Sequence, residues 1–193
     1  MKKLVSLFTI ILATKFCIAQ PIHQINIDPT VQENDFRMTV ITDTAVHIDS
    51  TNGYSVAVPE WWNILETPPN FFGGIFPAVD SIENALIFKS FKKSKFKGLV
   101  DFENWVVNDY SMGQTPAWSN DHTMLLKKRL KDFQELGNTY KLQLIRGGKI
   151  YDCCYIITET SNAYIWIDFT ATSTTYPKNF DKFKEIINTY KKL

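Results

Sequence analysis

The chain is poor in the residues that most often carry chemistry. Among 193 residues it has only three cysteines and three histidines. The histidines, His23, His47 and His122, lie far apart, and none has the spacing to a second ligating side chain that metal sites show. An isolated histidine of this kind is typical of a surface or edge position. The sequence therefore predicts no metal site.

Two of the three cysteines, Cys153 and Cys154, are neighbours in a β-rich run. Adjacent residues of a strand point to opposite faces, so this pair cannot bind one metal ion together. A disulfide between them would distort the strand. We interpret both as small buried hydrophobic residues, and we expect neither a disulfide framework nor a bound cofactor.

Catalytic motifs are also missing. The sequence has no Gly-x-Ser-x-Gly elbow and no phosphate-binding glycine loop, and its pairs Gly73-Gly74 and Gly147-Gly148 are interpreted as turns. Asp168 is the one acid that strand counting places on an aromatic face, beside Tyr155 and Trp166. We expect its carboxylate to be satisfied structurally, for example by a tyrosine hydroxyl, because no second catalytic group is evident. The prediction is a protein that is not an enzyme and has no catalytic residue.

Residues 1–19 have the pattern of a secretory signal peptide. Lys2 and Lys3 form a basic start, Leu4 to Ala13 form an apolar stretch, and Cys17-Ile18-Ala19 form a cleavage site. The apolar stretch is too short to span a bilayer. We therefore expect cleavage, no transmembrane anchor in the mature protein, and a periplasmic or secreted location.

Removing residues 1–19 deletes three lysines and no acid, so the formal charge changes from +1 to −2. A nearly neutral chain gives no support to nucleic-acid binding. Residues 20–35 lack periodicity and hold two prolines, which predicts a loose N-terminal arm. The length that remains fits one domain, which we place at residues 36–193.

The last third of the chain gives the clearest structural signal. Gly147-Gly148 predicts a two-residue hairpin turn, and counting outward from it pairs Leu142 with Cys153. After a second turn, the same counting brings Asp168 near Tyr155. Both faces of the central strands are substantially apolar, which predicts layers on both sides of an antiparallel sheet.

A helix is predicted after Tyr176-Pro177, because apolar residues then recur at helical spacing. Its stripe consists of Phe180, Phe183, Ile186, Ile187 and Tyr190. A second helix is predicted from Asp101, as its N-cap, to Met112-Gly113, with a stripe of Phe102, Trp105, Val106 and Tyr110. The predicted class is α+β, with helices covering both faces of an antiparallel sheet in an α/β/α sandwich.

The remaining segments are assigned from alternation and turn residues. We predict a β-rich stretch at 36–48, a hairpin at 53–66, a connection at 68–74, a strand at 84–91 and a strand at 122–133. The lysines between Lys89 and Lys97 are interpreted as a solvated tip that protects a strand edge, in preference to a contact with anionic headgroups or an acidic partner.

Three local signatures resemble those of the Mog1/PsbP-like fold, which includes DcrB-like bacterial proteins. They are residues 53–62 (Gly-Tyr-Ser-Val-Ala-Val-Pro-Glu-Trp-Trp), 164–172 (Tyr-Ile-Trp-Ile-Asp-Phe-Thr-Ala-Thr) and 183–190 (Phe-Lys-Glu-Ile-Ile-Asn-Thr-Tyr). With the order of elements, the resemblance spans residues 50–193. It implies an antiparallel sheet between helical layers, in a binding, assembly or accessory protein that is usually not catalytic. It carries over no functional residue, because such proteins share no site motif.

Aromatic residues are the only enriched class that suggests binding. Six candidate binding residues lie in or beside predicted connections: Trp61, Trp62, Phe71, Phe72, Phe76 and Trp118. Adjacent strand residues cannot both face one core, so we expect one of Trp61 and Trp62 to be exposed unless helices cover both faces. Exposed aromatic residues beside loops would form a patch for a partner or an apolar ligand, although core packing is the commoner use of such side chains.

Three hypotheses about function follow from these features. The preferred one is an exported, non-enzymatic accessory or binding protein that recognises another envelope or secreted protein. The alternative is a carrier of a small apolar ligand in an aromatic-lined pocket. The least favoured is a hydrolase, which needs a polar pair in a cleft, including Asp168 or His122.

Overall fold

The computed structural model describes residues 45–76, 84–110 and 122–193 of the protein. Ile41–Leu193 belongs to one compact unit. The predicted signal peptide and N-terminal arm lie outside the described residues. So do the start of the β-rich stretch predicted at 36–48 and the helix end predicted at Met112-Gly113.

The described chain is mostly strand. Its strands are β1 (Ala45–Asp49), β2 (Tyr54–Val58), β3 (Asn63–Ile64), β4 (Phe71–Ile75), β5 (Ala85–Lys92), β6 (His122–Leu130), β7 (Asn138–Arg146), β8 (Lys149–Glu159), β9 (Ala163–Thr172) and β10 (Lys191–Lys192). Its helices are a short 3-10 helix (Lys93–Lys95), α1 (Leu99–Asn104), which continues as a π-helix (Trp105–Tyr110), and α2 (Tyr176–Ile187).

The described strands form two sheets, and every pairing in them is antiparallel. The small sheet has the order β1-β2-β10, and the large sheet has the order β3-β4-β5-β9-β8-β7-β6. Strands β7, β8 and β9 are a meander of consecutive neighbours. Strand β5 reaches the meander only through its pairing with β9, which lies far along the chain.

The predicted register of the meander is confirmed. Leu142 pairs with Cys153 across β7 and β8, and Tyr155 pairs with Asp168 across β8 and β9. The hairpin turn between β7 and β8 consists of Gly147 and Gly148, which have φ angles of 57° and 75°. Both angles are in the left-handed region that glycine adopts at little cost, so the pair fixes the turn and the turn fixes the register.

Strands β8 and β9 bury both of their faces. Their side chains divide between two clusters, with Cys154, Ile156, Ile165, Ile167 and Phe169 in one and Cys153, Tyr155, Ile157 and Trp166 in the other. The division follows directly from the alternation of side chains along a strand. These two strands therefore supply both hydrophobic cores of the domain.

Helix α2 packs on the first cluster, called here the α2 core. Phe183, Ile186 and Ile187 are fully buried in it, and the Phe183 ring stacks on Phe169 with centroids 4.7 Å apart. The predicted helix is confirmed with most of its apolar stripe, but it ends at Ile187, so Tyr190 is buried in the α2 core from beyond the helix. Pro177 lies in the first turn, where a missing backbone N–H costs no helical hydrogen bond.

Helix α1 and the π-helix pack on the second cluster, called here the α1 core. Phe102, Val106 and Val107 are buried beside strand residues, and Phe102 stacks on Tyr164 with centroids 5.2 Å apart. The predicted N-cap is wrong, because the helix begins at Leu99 and Asp101 lies in its first turn. There Asp101 accepts a hydrogen bond from the Lys97 backbone N–H, a position that the helix dipole also favours.

The hairpin predicted at residues 53–66 is wrong. Strand β2 pairs with β1 and β10, whereas β3 pairs with β4, so Trp61 and Trp62 lie in the turn between two sheets. The connection predicted at 68–74 is also wrong in part, because Phe71–Ile75 is strand β4. Its Gly73 lies against the backbone of β5, where an added Cβ would come within 2.1 Å of the Leu86 carbonyl oxygen. Gly73, predicted to form a turn, instead allows β4 and β5 to approach each other closely.

The other predicted strands are confirmed with shifted ends. The strand predicted at 84–91 is β5, and the one predicted at 122–133 is β6, which ends at Leu130. The coarse class is also confirmed, since the domain is a mixed fold of antiparallel sheets with few helices. A helical layer over each whole face is not confirmed, because most of the described chain is strand.

Replacing Phe183 with glutamate should lower the free energy of unfolding by about 3 kcal/mol or more, because the change buries an unpaired carboxylate in the α2 core. Chemical denaturation followed by circular dichroism measures this difference. The matched control is Lys178→Glu, an exposed position on the same helix, which should change the stability by about 0.5 kcal/mol or less. Equal stability of the two variants would contradict the packing of α2.

Candidate functional site

The structure divides the six predicted binding residues between different environments. Trp62 and Phe76 are core residues with 3% and 1% exposure, and Trp61, Phe71 and Phe72 are half-buried. Trp118 lies outside the described residues. Of the neighbours Trp61 and Trp62, Trp61 is the more exposed. Both nevertheless pack in or against the α2 core, because they lie in a turn where strand alternation does not apply.

These aromatic residues do not form one patch. Phe72 faces the α2 core, where it meets Trp62 edge-on with centroids 5.6 Å apart. Phe71 faces the opposite side of the sheet and lies near Phe91. Adjacent residues of β4 therefore serve different faces. A binding role for the individual residues remains a prediction.

Four of the six candidate binding residues pack with, or beside, aromatic residues that we did not predict to take part in binding. Trp62 and Phe72 are part of a group that joins the two sheets, called here the aromatic junction: His47, Tyr54, Trp62, Phe72, Phe88 and Tyr190. The His47 imidazole lies flat on the Phe72 ring at 3.5 Å, and Tyr54 stacks on both Phe88 and Tyr190. Trp61 stacks on Phe76 at 5.7 Å beside this group. The sequence signal for the junction was present only as a high aromatic content, because its members come from six separate segments.

The aromatic junction contains polar atoms that are buried without a hydrogen-bond partner among the described residues. They are His47 Nε2, Trp62 Nε1 and the Tyr190 hydroxyl. Burial raises the pKa of both Tyr54 and Tyr190, so these phenols stay protonated. Burial lowers the pKa of His47, against an opposing effect of the Asp49 carboxylate. The junction is therefore an uncharged aromatic environment with unused hydrogen-bonding capacity.

Asp168 lies on the other side of the large sheet, in the α1 core beside Tyr155 and Trp166, as predicted. Its carboxylate forms an ion pair with Lys89, with Nζ and Oδ2 2.6 Å apart. The side chains are only 4% and 12% exposed. The Lys89 ammonium group also lies 3.7 Å from the centroid of the Trp166 ring, so a cation–π interaction supplements the ion pair.

A short chain of hydrogen bonds continues from this ion pair. The Thr170 hydroxyl donates to Asp168 Oδ1 at 2.7 Å and lies 3.3 Å from Cys153 Sγ. Burial is the main cause that raises the pKa of the Cys153 thiol, and the Asp168 carboxylate adds to it. Cys153 therefore stays a protonated thiol and is a poor nucleophile. Cys154, also buried, has its pKa raised to about 12.

This arrangement satisfies a buried carboxylate. Both Asp168 oxygens are engaged, one by Lys89 and the other by Thr170. The expected structural satisfaction of Asp168 is confirmed, but the partners are a lysine and a threonine. Lys89, which we predicted to belong to the solvated tip, is instead buried with 3% exposure. Its pairing position opposite Trp166 depends on the β5–β9 contact, which no local pattern predicts.

Metal and membrane features are also limited in the described residues. In ranges 45–76, 84–110 and 122–193, no group of three His, Cys, Asp or Glu side chains could hold a metal ion. No described helix is long and apolar enough to cross a membrane. The third histidine, His122, begins β6.

Solved structures of similar shape exist. The solution structure of cyanobacterial PsbP (CyanoP) from Synechocystis sp. PCC 6803 superposes with a TM-score of 0.51 at 13% identity, over 83% of this chain and 98% of that one. The chain has the Mog1/PsbP-like fold. At this identity, the likeness to PsbP establishes the fold and carries no residue role.

Two other structures match less closely in shape. A crystal structure from Bacteroides thetaiotaomicron has a TM-score of 0.48 at 19% identity and covers 79% of this chain and 49% of that one. A protein of unknown function from Pseudomonas aeruginosa has a TM-score of 0.43 at 13% identity, over 74% of this chain and 92% of that one. The sequence itself matches no protein-family profile and no curated protein.

Replacing Asp168 with asparagine should destabilise the Mog1/PsbP-like domain by about 3 kcal/mol or more, because it leaves the Lys89 ammonium group buried without its counter-charge. Thermal and urea denaturation measure the loss. The double variant Lys89→Met, Asp168→Asn should lose less than the sum of the two single changes by about 1 kcal/mol or more. The matched control is Glu159→Gln, which breaks a half-exposed pair with Lys93 and should cost about 1 kcal/mol at most. Additive single changes would show that the pair is not coupled.

The lowered pKa of His47 makes stability depend on pH. Because the folded state favours the neutral imidazole, the unfolded chain binds more protons as the pH falls below the ordinary histidine pKa of 6.5. The stability present above this pH should therefore decrease as the pH falls below about 6.5. The His47→Phe variant keeps a ring on Phe72, cannot titrate, and should show a weaker decrease, although His23 and His122 remain. Identical pH profiles of the two proteins in urea denaturation would contradict the burial of His47.

Proposed function

We propose that the protein is an exported, non-enzymatic accessory or binding protein that recognises another envelope or secreted protein. The observation that carries the proposal is an exposed apolar face on the small sheet, called here the outer face: Val46, Ile48, Ala57 and Leu193. Val46 is 59% exposed, Ile48 is 65% exposed and Leu193 is 59% exposed. Sheet faces of this kind are frequent sites of protein association.

The outer face reverses the usual placement of side chains in a strand. In β1, the aliphatic residues Val46 and Ile48 point to solvent, whereas His47 between them points into the aromatic junction. The domain by itself therefore gains little burial from Val46 and Ile48. The pairing of Val46 with Ala57 and of Ile48 with Ser55 fixes the observed register. A partner that covers the outer face would recover this lost burial.

The predicted aromatic residues support this function either from the core or at the surface. Trp62 and Phe76 are too deeply buried to contact a partner, and they hold the surface in place from the core. Trp61, Phe71 and Phe72 are half-buried, so parts of their rings remain available at the surface. Trp118 stays a predicted binding residue.

We propose that the protein does not catalyse a reaction. Asp168, the acid most suited to a hydrolase, is held by Lys89 and Thr170 in the α1 core. Cys153 is a protonated thiol with no exposed surface. A hydrolase would need one of these groups to be free and accessible to substrate. Export rests on the signal-peptide pattern of residues 1–19, which places the protein in the periplasm or outside the cell.

A carrier of a small apolar ligand is the second candidate, and one observation favours it. The buried, unpartnered His47 Nε2, Trp62 Nε1 and Tyr190 hydroxyl all lie in the aromatic junction. A ligand with an apolar body and a polar end would use both the rings and these atoms. Native mass spectrometry of protein purified from the native cell would show such a ligand as a fixed added mass. Ordered water at the same atoms would add no such mass.

A crosslinking pull-down tests the preferred function, with residues 20–193 as bait in an envelope fraction of the native cell. One dominant protein partner should be captured, and Ile48→Asp should abolish its capture because a carboxylate cannot be buried against an apolar partner surface. The control is Val100→Asp, which changes an equally exposed aliphatic residue on α1 and should leave capture intact. Capture that survives Ile48→Asp would contradict the outer face as the binding site, and a co-purifying small molecule without a protein partner would favour the carrier.

A further inference from the structure

Positive charge is concentrated in one part of a chain that is nearly neutral as a whole. Between His122 and Lys149 there are seven lysines and arginines but only two acids, whereas the mature chain has a formal charge of −2. Four of these cations lie on or directly after strand β6, and two exposed leucines precede them. This surface is called here the basic edge: Leu125, Leu126, Lys127, Lys128, Arg129 and Lys131.

The cations of the basic edge are exposed and form no ion pair with a described acid. Lys127, Lys128, Arg129 and Lys131 are all exposed, and none takes part in the ion pairs found among residues 45–76, 84–110 and 122–193. Lys127 donates to the side-chain oxygen of Asn108, and Arg129 donates to that of Asn138. Both partners are neutral amides, and Asn138 in turn donates to the Glu103 carboxylate.

One pairing on this edge is unfavourable in the isolated domain. Lys128 lies directly opposite Lys141 in the β6–β7 ladder, and like charges at such a position destabilise a sheet. Lys141 lies 4.0 Å from the carboxylate of Asp152, which has only 11% side-chain exposure. An acidic group from another molecule would remove this repulsion, because it could lie between the two ammonium groups.

Strand β6 has the geometry to accept a further strand. It is the last strand of the described large sheet and runs for nine residues. Its pairing shifts between Met124 and Leu126, a β-bulge. Lysines and bulges also protect edges from aggregation, but Leu125 and Leu126 are 49% and 46% exposed and work against such protection. Exposed leucines beside exposed cations fit an edge that recognises one kind of partner. They fit less well with an edge that serves only to prevent strand pairing.

We propose that the basic edge binds an extended acidic segment of a protein partner, which adds to the large sheet as a strand beside β6. The partner's backbone pairs with the outer edge of β6. Its carboxylates lie on both faces of the added strand, opposite Lys128 on one face and Lys127 and Arg129 on the other. Its apolar side chains contact Leu125 and Leu126. The inference rests on the proposed function in that the partner is a protein. It concerns a surface other than the outer face, so the two can fail separately.

Fluorescence anisotropy with three labelled peptides tests this proposal, using the mature chain 20–193. The first peptide begins with a run of glutamates, which presents carboxylates on both faces of a strand, and ends with two valines, over about ten residues to match the length of β6. The second replaces glutamate with glutamine, and the third keeps glutamate but carries an N-methyl group on every backbone amide, which blocks both edges of the peptide. We expect binding of the first peptide alone, since the second lacks charge and the third cannot pair as a strand.

Matched variants locate the binding. Lys128→Glu should weaken binding of the acidic peptide by about fivefold or more, whereas Lys95→Glu, an exposed lysine outside β6, should leave it unchanged. Ile48→Asp should also leave it unchanged, which separates the basic edge from the outer face. Raising the salt from about 0.05 M to about 0.3 M should weaken binding through screening.

Several results would overturn the proposal. Equal binding of the N-methylated peptide would show a purely ionic contact without strand addition. Equal binding of the glutamine peptide would remove the role of charge, and no binding of the acidic peptide would remove the site. Binding of phosphatidylserine vesicles that Lys128→Glu abolishes, without binding of the peptide, would assign the basic edge to a lipid surface.

Discussion

The burial of β8 and β9 on both faces is the constraint from which the rest of the structure follows. Their alternating side chains supply the α2 core on one side and the α1 core on the other. A slip of one residue would move Cys153 and Trp166 into the α2 core, which is shaped by Phe183 and Phe169. Strands β5 and β7 flank this pair. The small sheet contacts it through the α2 core, where Val56 is buried, and through the hydrogen bond from Thr160 to the Asn52 carbonyl. The register of two central strands thus determines which side chain enters which core.

The same double burial explains where function can lie. The chemically versatile groups of the domain, Asp168, Lys89 and Cys153, are all in the α1 core, where they satisfy one another. Burying an ion pair stabilises a fold only modestly, because desolvation offsets most of the attraction. The ion pair between Lys89 and Asp168 contributes a specific geometry, in which Lys89 lies over the Trp166 ring. Surfaces available for recognition are therefore the peripheral ones: the outer face on β1 and the basic edge on β6, at the ends of the two sheets.

Local patterns were enough to predict the meander and α2. A glycine pair sets the turn, counting from it sets the partners, and helical spacing identifies Phe183 and Ile187, all within short stretches of chain. Contacts between distant segments were not predictable in this way. The β5–β9 pairing turns Lys89 from an apparent surface lysine into a buried one, and the pairing of β2 with β10 moves Trp61 and Trp62 out of a hairpin. Both depend on loop closures that a single sequence does not encode locally. The aromatic junction was missed for the same reason, although the high aromatic content signalled that aromatic packing would matter.

Native-state hydrogen exchange of residues 20–193 tests the double burial most directly. If β8 and β9 form both cores, their amide protons should exchange only through global unfolding, and their exchange free energies should equal the free energy of unfolding from denaturation. The amides of the peripheral strands β1 and β6 should exchange faster, through local opening. Protection that is greatest in another element, or exchange of β8 and β9 well below the global free energy, would contradict the central place of these two strands.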